Sequence, residues 1–275
     1  MAYKDILVYV DEGASNQERV ATAFNMAKMH NARLTGITLS ALQPEHLKVK
    51  EKKAIKNICL KEAEDRMADF VEQAKAEGIE YNAQIIKGEA SKAATQLAKI
   101  ARNYDITILR QANPNNCNYS TMETVAEQVI LLGGRPVFFM PYIGAHRIPC
   151  KKGMIAWDGT PAATRSVHNA LPILSRLEEV SILVVQEGKQ KTAKGELLVD
   201  DLAEHLKRHG IQATVRRVTA GTFDVPTVIL NEIAENDIDI IVMGGYGTPN
   251  LKQKIFGGVT RTLLSSMIIP VVMSH

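Results

Sequence analysis

The sequence predicts an α/β fold of two tandem, doubly wound domains, each a five-stranded, mainly parallel sheet with helices on both faces. Short apolar runs alternate with helix-length amphipathic segments along the chain. The whole series occurs twice, and landmarks inside the two copies keep one spacing.

The first copy opens with Ile6-Leu7-Val8-Tyr9-Val10, a strand-length apolar run that ends at Asp11. Ser15 to His30 follows with Val20, Ala23, Phe24 and Ala27 at helical spacing. Leu34 to Leu39 reads as a second strand and residues 55–77 as a long amphipathic helix. Ala83 to Ile86 is a third strand, Ala90 to Arg102 a third helix and Ile106 to Leu109 a fourth strand. Glu123 to Leu132 is then helical, and Pro136 to Met140 closes the sheet.

The second copy starts with Met154-Ile155-Ala156-Trp157, ending at Asp158. Ala162 to Ser175 is helical, Val180 to Val185 a strand, Leu197 to His209 helical and Ala213 to Val218 a strand. Val225 to Asn236 is helical, Ile238 to Met243 the fourth strand, Val259 to Ser266 the fourth helix and Pro270 to Met273 the fifth strand. Asp105-Ile106-Thr107-Ile108 answers Asp239-Ile240-Ile241-Val242, and a proline lies 31 residues after each aspartate. The first copy is longer by 13 residues between Asp11 and Asp105, mostly around Leu42 to Ile55. Pro141 and Pro149 bracket the junction, so the domains are read as 1–143 and 149–275.

Composition removes several functions. The chain of 275 residues is 45% hydrophobic and 23% charged, the profile of a folded globular protein. No apolar run approaches the roughly 18 residues of a membrane span, and Met1 to Asp11 does not read as a signal peptide, so a cytoplasmic protein is expected. Net charge is +3, spread as 19 Lys/Arg against 17 Asp/Glu in residues 1–148 and 14 against 13 in residues 149–275. That balance gives no reason to expect nucleic acid or an anionic membrane as partner. The basic stretch Lys48 to Lys56 is interrupted by Glu51 and reads as a solvated helical surface. Cys59, Cys117 and Cys150 form no CxxC pair, and the seven histidines form neither HExxH nor HxH, so a zinc hydrolase has no footing. Trp157 reads as a core residue, His168 and His205 as surface groups, and the ten methionines as core filler.

Ligands of open parallel sheets bind at the carboxyl ends of strands, where the strand order reverses. In the second copy these ends carry Asp158-Gly159-Thr160, Gln186-Glu187-Gly188 and the segment Met243 to Thr260. The last has Gly244, Gly245 and Gly247 past a strand and Gly257 and Gly258 ahead of a helix. Glycines at a strand exit let backbone N–H groups approach a phosphate, and a helix start adds free donors and the positive end of its dipole. By composition alone, a phosphate cradle and a pair of ordinary glycine turns stand side by side. Neither a Walker A box nor GxGxxG occurs.

Gly244-x2-Gly247-x9-Gly257 followed by a small residue resembles the ATP-binding signature G-x2-G-x9-G-[S/T] of the universal stress protein family. Trp157-Asp158-Gly159-Thr160 resembles the family's first strand end, and Ile269-Pro270-Val271-Val272 its closing strand. The resemblance covers the chain twice and implies an adenine nucleotide alpha hydrolase-like fold. It implies a regulatory protein that holds ATP, or ADP or AMP, with Mg²⁺ as an optional companion. By the resemblance, Asp158, with Gly159 and Thr160, lies against the nucleoside, and Val185 offers backbone to the adenine. Gly244, Gly247 and Gly257 line the phosphates, and Met243, Gly258, Val259 and Thr260 belong to the same nucleotide-binding set. Gly258 stands where the signature has Ser or Thr, which removes a hydroxyl that Thr260 is placed to replace.

The first copy departs from the signature. Gly244, Gly247, Gly257 and Gly258 align with Arg110, Asn113, Glu123 and Thr124. Added Cβ atoms and a carboxylate at Glu123 work against phosphate there, and Asp11 reads as a cap or turn residue. Two further functions compete with nucleotide-dependent regulation: a slow ATPase or phosphotransferase, and an interaction module with a vestigial pocket. The first lacks a general base, an arginine finger and a Mg²⁺ carboxylate pair in the sequence. Catalytic and metal-ligating residues are therefore not assigned, and an enzyme is the less favoured reading. The resemblance also implies that the fifth strands bring the two halves together as an internal pseudo-dimer, open to pairing with a second chain. Residues 1–143 and 149–275, expressed separately, are expected to associate in analytical ultracentrifugation. Two stable monomers with no mutual affinity would contradict this.

Overall fold

The structure, a computed structural model, describes residues 2–13, 15–42, 49–115, 119–143, 149–186, 198–245 and 258–275, with backbone alone at 41–42 and 49–54. The chain divides into two compact units, Ala2–Tyr142 and Ile143–His275. The first runs β1 (Asp5–Tyr9), α1 (Asn16–His30), β2 (Arg33–Leu42), α2 (Val49–Ala76), β3 (Tyr81–Glu89), α3 (Ala90–Ala101), β4 (Ile106–Arg110), α4 (Tyr119–Gly133) and β5 (Val137–Met140). Its strands lie in the order β3-β2-β1-β4-β5, every pairing parallel.

The second unit runs β6 (Lys152–Ala156), α5 (Pro161–Leu174), β7 (Glu179–Gln186), α6 (Val199–Arg208), β8 (Ala213–Thr219), α7 (Val225–Glu235), β9 (Ile240–Gly244), α8 (Gly258–Ser266) and β10 (Val271–Ser274). Its order, β8-β7-β6-β9-β10, is again parallel throughout and repeats that of the first unit. In each unit the chain winds outward on one side of the first strand and then on the other. The crevice between first and fourth strands, β1/β4 and β6/β9, is the switch point.

Residue chemistry explains the layers. Ile6, Leu7 and Val8 of β1 and Ile240 and Val242 of β9 are fully buried, as central strands covered on both faces require. The edge strand β8 is polar on its exposed positions, and its Arg216 pairs with Glu232 of α7 at 2.9 Å. In the first unit Phe24 of α1 stacks on Phe70 of α2 with ring centroids 5.6 Å apart. Thr160 caps α5 by accepting from Ala163 N, and Asp224 caps α7 by accepting from Thr227 N, each with a proline in the first turn.

Several boundaries differ from expectation. Helix α4 starts at Tyr119 rather than Glu123, because Met122 and Val125 already bury one helical stripe. Helix α2 extends back to Val49 through the charged stretch. Strand β3 runs beyond Ala83–Ile86 at both ends, in register with β2. Pro136 and Pro270 fall just before their strands, where each supplies a carbonyl: Thr107 N donates to Pro136 O and Ile241 N to Pro270 O, at 3.1 and 3.0 Å.

One device is used twice. Asp105 Oδ2 accepts from the backbone N–H groups of Lys4 and Asp5, at 2.6 and 3.0 Å. Asp239 Oδ2 accepts from those of Lys151 and Lys152, at 2.7 and 2.9 Å. Each aspartate clamps the start of the first strand to the start of the fourth. Asp239→Ala is expected to lower the stability of the second unit by about 2–3 kcal/mol, the scale of lost hydrogen bonds to a buried charge. Urea unfolding followed by the fluorescence of Trp157, the single tryptophan, reads that unit directly.

Candidate functional site

The second unit's switch point is built from the residues after β6 and β9. Asp158 follows β6, exposed, and its Oδ1 accepts from Thr160 N at 3.0 Å and from Thr160 Oγ1 at 2.7 Å. Gly159 lies between them at φ +69°, a conformation in which a side chain is disfavoured. Thr160 Oγ1 accepts in turn from Ala163 N at 3.2 Å, so one hydroxyl joins the aspartate to the α5 N-terminus. Both bonds fall on one carboxylate oxygen.

Across the crevice, Gly244 ends β9 directly against the first turn of α5. A Cβ there would lie 2.6 Å from Ala163 N and 3.0 Å from Ala162 C, both backbone atoms. Gly244 is thus required by packing as well as by any phosphate. Gly245, next in the chain, donates to Ser274 O at 2.8 Å, and its carbonyl lies 3.2 Å from His275 Nδ1. The end of β10 thereby holds the start of the glycine segment.

The remaining expected residues divide. Met243 is buried in β9, paired with Ala156 on one side and Met273 on the other. Val185 is half-buried in β7, in register with Val218 of β8. Gly258 opens α8 with no described atom within 4 Å of where a Cβ would lie, and Val259 is 38% exposed. Thr260 is buried at 4%, turned to the same side of the helix as Leu263. Gly247 and Gly257 lie outside the described residues, as do Glu187 and Gly188. Trp157 is core, as expected, at 7% exposure, and its indole Nε1 is buried with no partner among the described residues.

The same place in the first unit is filled by side chains. Asp11, Arg19 and Arg110 are 2%, 0% and 2% exposed. Arg110 Nε lies 2.5 Å from Asp11 Oδ2, and Arg19 Nη2 lies 2.8 Å from Asp11 Oδ1. Arg19 also donates to Tyr9 O and to Asn16 Oδ1, each at 2.8 Å, and Gly13 N donates to Asp11 Oδ1 at 3.0 Å. Asp11 is a turn residue, as expected, and also the anion of a buried ion-pair cluster. Burial, then the nearby Asp11 carboxylate, push the Tyr9 phenol far above its ordinary range. Glu123, aligned with Gly257, accepts from Tyr119 Oη at 3.0 Å.

Sequence reasoning placed Arg110 opposite Gly244 but missed its partner. The available signal was a cation at one strand exit facing an anion at its neighbour's. The joint role of Arg19 had no such signal, since it depends on where α1 begins.

The sequence profile of the universal stress protein family matches residues 151–275. Among solved structures, a universal stress protein from Archaeoglobus fulgidus DSM 4304 superposes with a TM-score of 0.75 at 17% identity, over 98% of this chain and 94% of that one. A functionally unknown protein from Pseudomonas aeruginosa PAO1 superposes at 0.57 with 12% identity, over 98% and 92%. At these identities the likeness is one of fold. No curated protein sequence matches the chain significantly. Profile, strand order and two-unit layout agree: residues 151–275 are a universal stress protein family domain, and the chain as a whole has the tandem two-unit fold of the solved universal stress protein.

Proposed function

We propose that this chain is a cytoplasmic, nucleotide-dependent regulatory protein of the stress response that holds one adenine nucleotide in its second unit. The observation that carries the reading is the contrast at the two switch points. In the first unit the Arg110 guanidinium lies on Asp11 and both are buried. In the second unit Gly244 has no side chain to offer, and Asp158 stays exposed beside a helix N-terminus. An exposed carboxylate oxygen accepts hydroxyl groups of a nucleoside. The α8 start at Gly258 and Val259 offers N–H donors and a favourable dipole to phosphates. In this reading the Val185 backbone would meet the adenine and Gly247 and Gly257 would complete the phosphate cradle, and Mg²⁺, where bound, would supply positive charge to the phosphates. Thr260 is buried, so the hydroxyl missing at Gly258 is not replaced at the surface. This favours ADP or AMP alongside ATP.

Hydrolysis is slow in this reading. Asp158 is the one acid at the crevice among the described residues, and Thr160 already holds its Oδ1. Turnover is expected far below the enzyme median of about 10 per second. A rapid Mg²⁺-dependent ATPase that vanishes in Asp158→Ala would contradict it.

Isothermal titration of variants tests binding itself. Asp158→Ala is expected to weaken adenine-nucleotide binding by about 1–3 kcal/mol, the scale of a hydrogen bond to a charged group. Gly257→Glu, which installs the carboxylate that Glu123 carries in the other unit, should abolish it. Asp11→Asn should leave affinity unchanged while destabilising the first unit by about 3 kcal/mol, because two buried guanidinium groups lose their anion. Loss of binding in Asp11→Asn with Asp158→Ala silent would reverse the assignment.

A further inference from the structure

The end of β10 is bonded to both walls of the second unit's crevice. On the α5 side, Ser274 N donates to Ser166 Oγ at 2.8 Å, Asn169 Nδ2 to Ser274 Oγ at 3.2 Å and Arg165 Nε to His275 O at 2.7 Å. On the other side, Gly245 N donates to Ser274 O at 2.8 Å, and His275 Nδ1 lies 3.2 Å from Gly245 O. Ser166 and Ser274 are buried, whereas His275 is exposed. The first unit secures the same place with different groups. In the alignment that sets Gly244 against Arg110, Gly245 falls on Gln111, Ser274 on Met140 and His275 on Pro141. Gln111 N donates to Met140 O at 2.8 Å, as Gly245 N does to Ser274 O. Gln111 then uses its own side chain, whose Oε1 accepts from Tyr142 N at 3.1 Å. Gly245 has no side chain to use, and there the second bond comes from the facing strand instead, from the His275 ring to the Gly245 main chain.

We propose that His275 is a positioning residue for the phosphates of the bound nucleotide. Its imidazole fixes the Gly245 carbonyl, and with it the direction in which the glycine segment leaves β9; the proposal rests on the nucleotide reading above. A carbonyl oxygen only accepts, so Nδ1 carries the hydrogen in this contact, whether the ring is neutral or charged. Holding a carbonyl holds its whole peptide plane, because the peptide bond does not rotate. A glycine has the widest choice of backbone angles, so such a tether restricts it more than it would any other residue. The ring is itself held in place, since Arg165 bonds the His275 main chain and Ser166 the residue before it. A segment whose backbone N–H groups are to meet phosphate oxygens loses less freedom on binding when its first peptide is already set. Adenine and ribose fall to Val185 and Asp158 in the same reading, so His275 acts on the phosphate end alone.

Isothermal titration of the full chain with ADP, as wild type, His275→Ala and His275→Asn, tests the role. His275→Ala is expected to bind ADP about fivefold more weakly or worse, the scale of one lost hydrogen bond. Trp157 fluorescence should show that the second unit unfolds at the wild-type urea midpoint, since the buried Ser166–Ser274 bond remains. Asparagine carries an amide N–H close to where Nδ1 stands, so His275→Asn should recover affinity to within about twofold of wild type. A residue that only tied down the strand end would not give that rescue of affinity. Wild-type affinity in His275→Ala, or His275→Asn as weak as His275→Ala, overturns the proposal and leaves the nucleotide reading standing. No ADP binding by the wild type overturns both.

Discussion

A carboxylate taken out of water has to be neutralised, and each unit treats the aspartate after its first strand differently. Asp11 is buried against Arg19 and Arg110, with Gly13 N and Asn16 completing its surroundings. Asp158 remains at the surface, with Thr160 its hydrogen-bond partner among the described residues. The helix that follows begins five residues after Asp11 but three after Asp158. In the first unit those extra residues accommodate a long cationic side chain from β4. In the second, β9 ends in Gly244 and its backbone lies on the α5 helix start. One position, Arg110 or Gly244, thereby decides whether a cation from the fourth strand reaches the aspartate after the first.

The strand scaffold around that position is shared. The aspartate clamps at Asp105 and Asp239, the proline carbonyls at 136 and 270, and the strand order repeat between units. The Gln111 N and Gly245 N bonds to the fifth strand, to Met140 O and Ser274 O, are both 2.8 Å long. The two units thus share a scaffold and differ at the site. A buried ion cluster is costly to form and costly to break, so the first unit's switch point is held in one arrangement. The second keeps its aspartate exposed.

The fold was legible because parallel strands buried on both faces must be continuous apolar runs, and the runs of β1, β4, β6 and β9 are unmistakable at that level. The ends of elements were less so. Ser120 and Thr121 are themselves N-cap residue types and so point to a later helix start than Tyr119, and β3 is largely polar because it is an edge strand. Within the site, Asp158 and the glycines could be read, since strand exits and helix starts constrain residue type locally. Gly244 could be read only half correctly: its contact with the Ala162 and Ala163 backbone is a tertiary constraint with no local trace. The same applies to Arg19 on Asp11, and to His168 beside His205, 37 residues later. Local patterns announce backbone conformation; partners brought together by crossover connections do not appear in them.

The central claim is that one open switch point and one closed one give one nucleotide per chain. Gentle purification of the full chain, followed by mass spectrometry of the denatured supernatant with millimolar ATP added beforehand, counts the nucleotide directly. The account predicts a single adenine nucleotide per chain. Two per chain, or none, would contradict it.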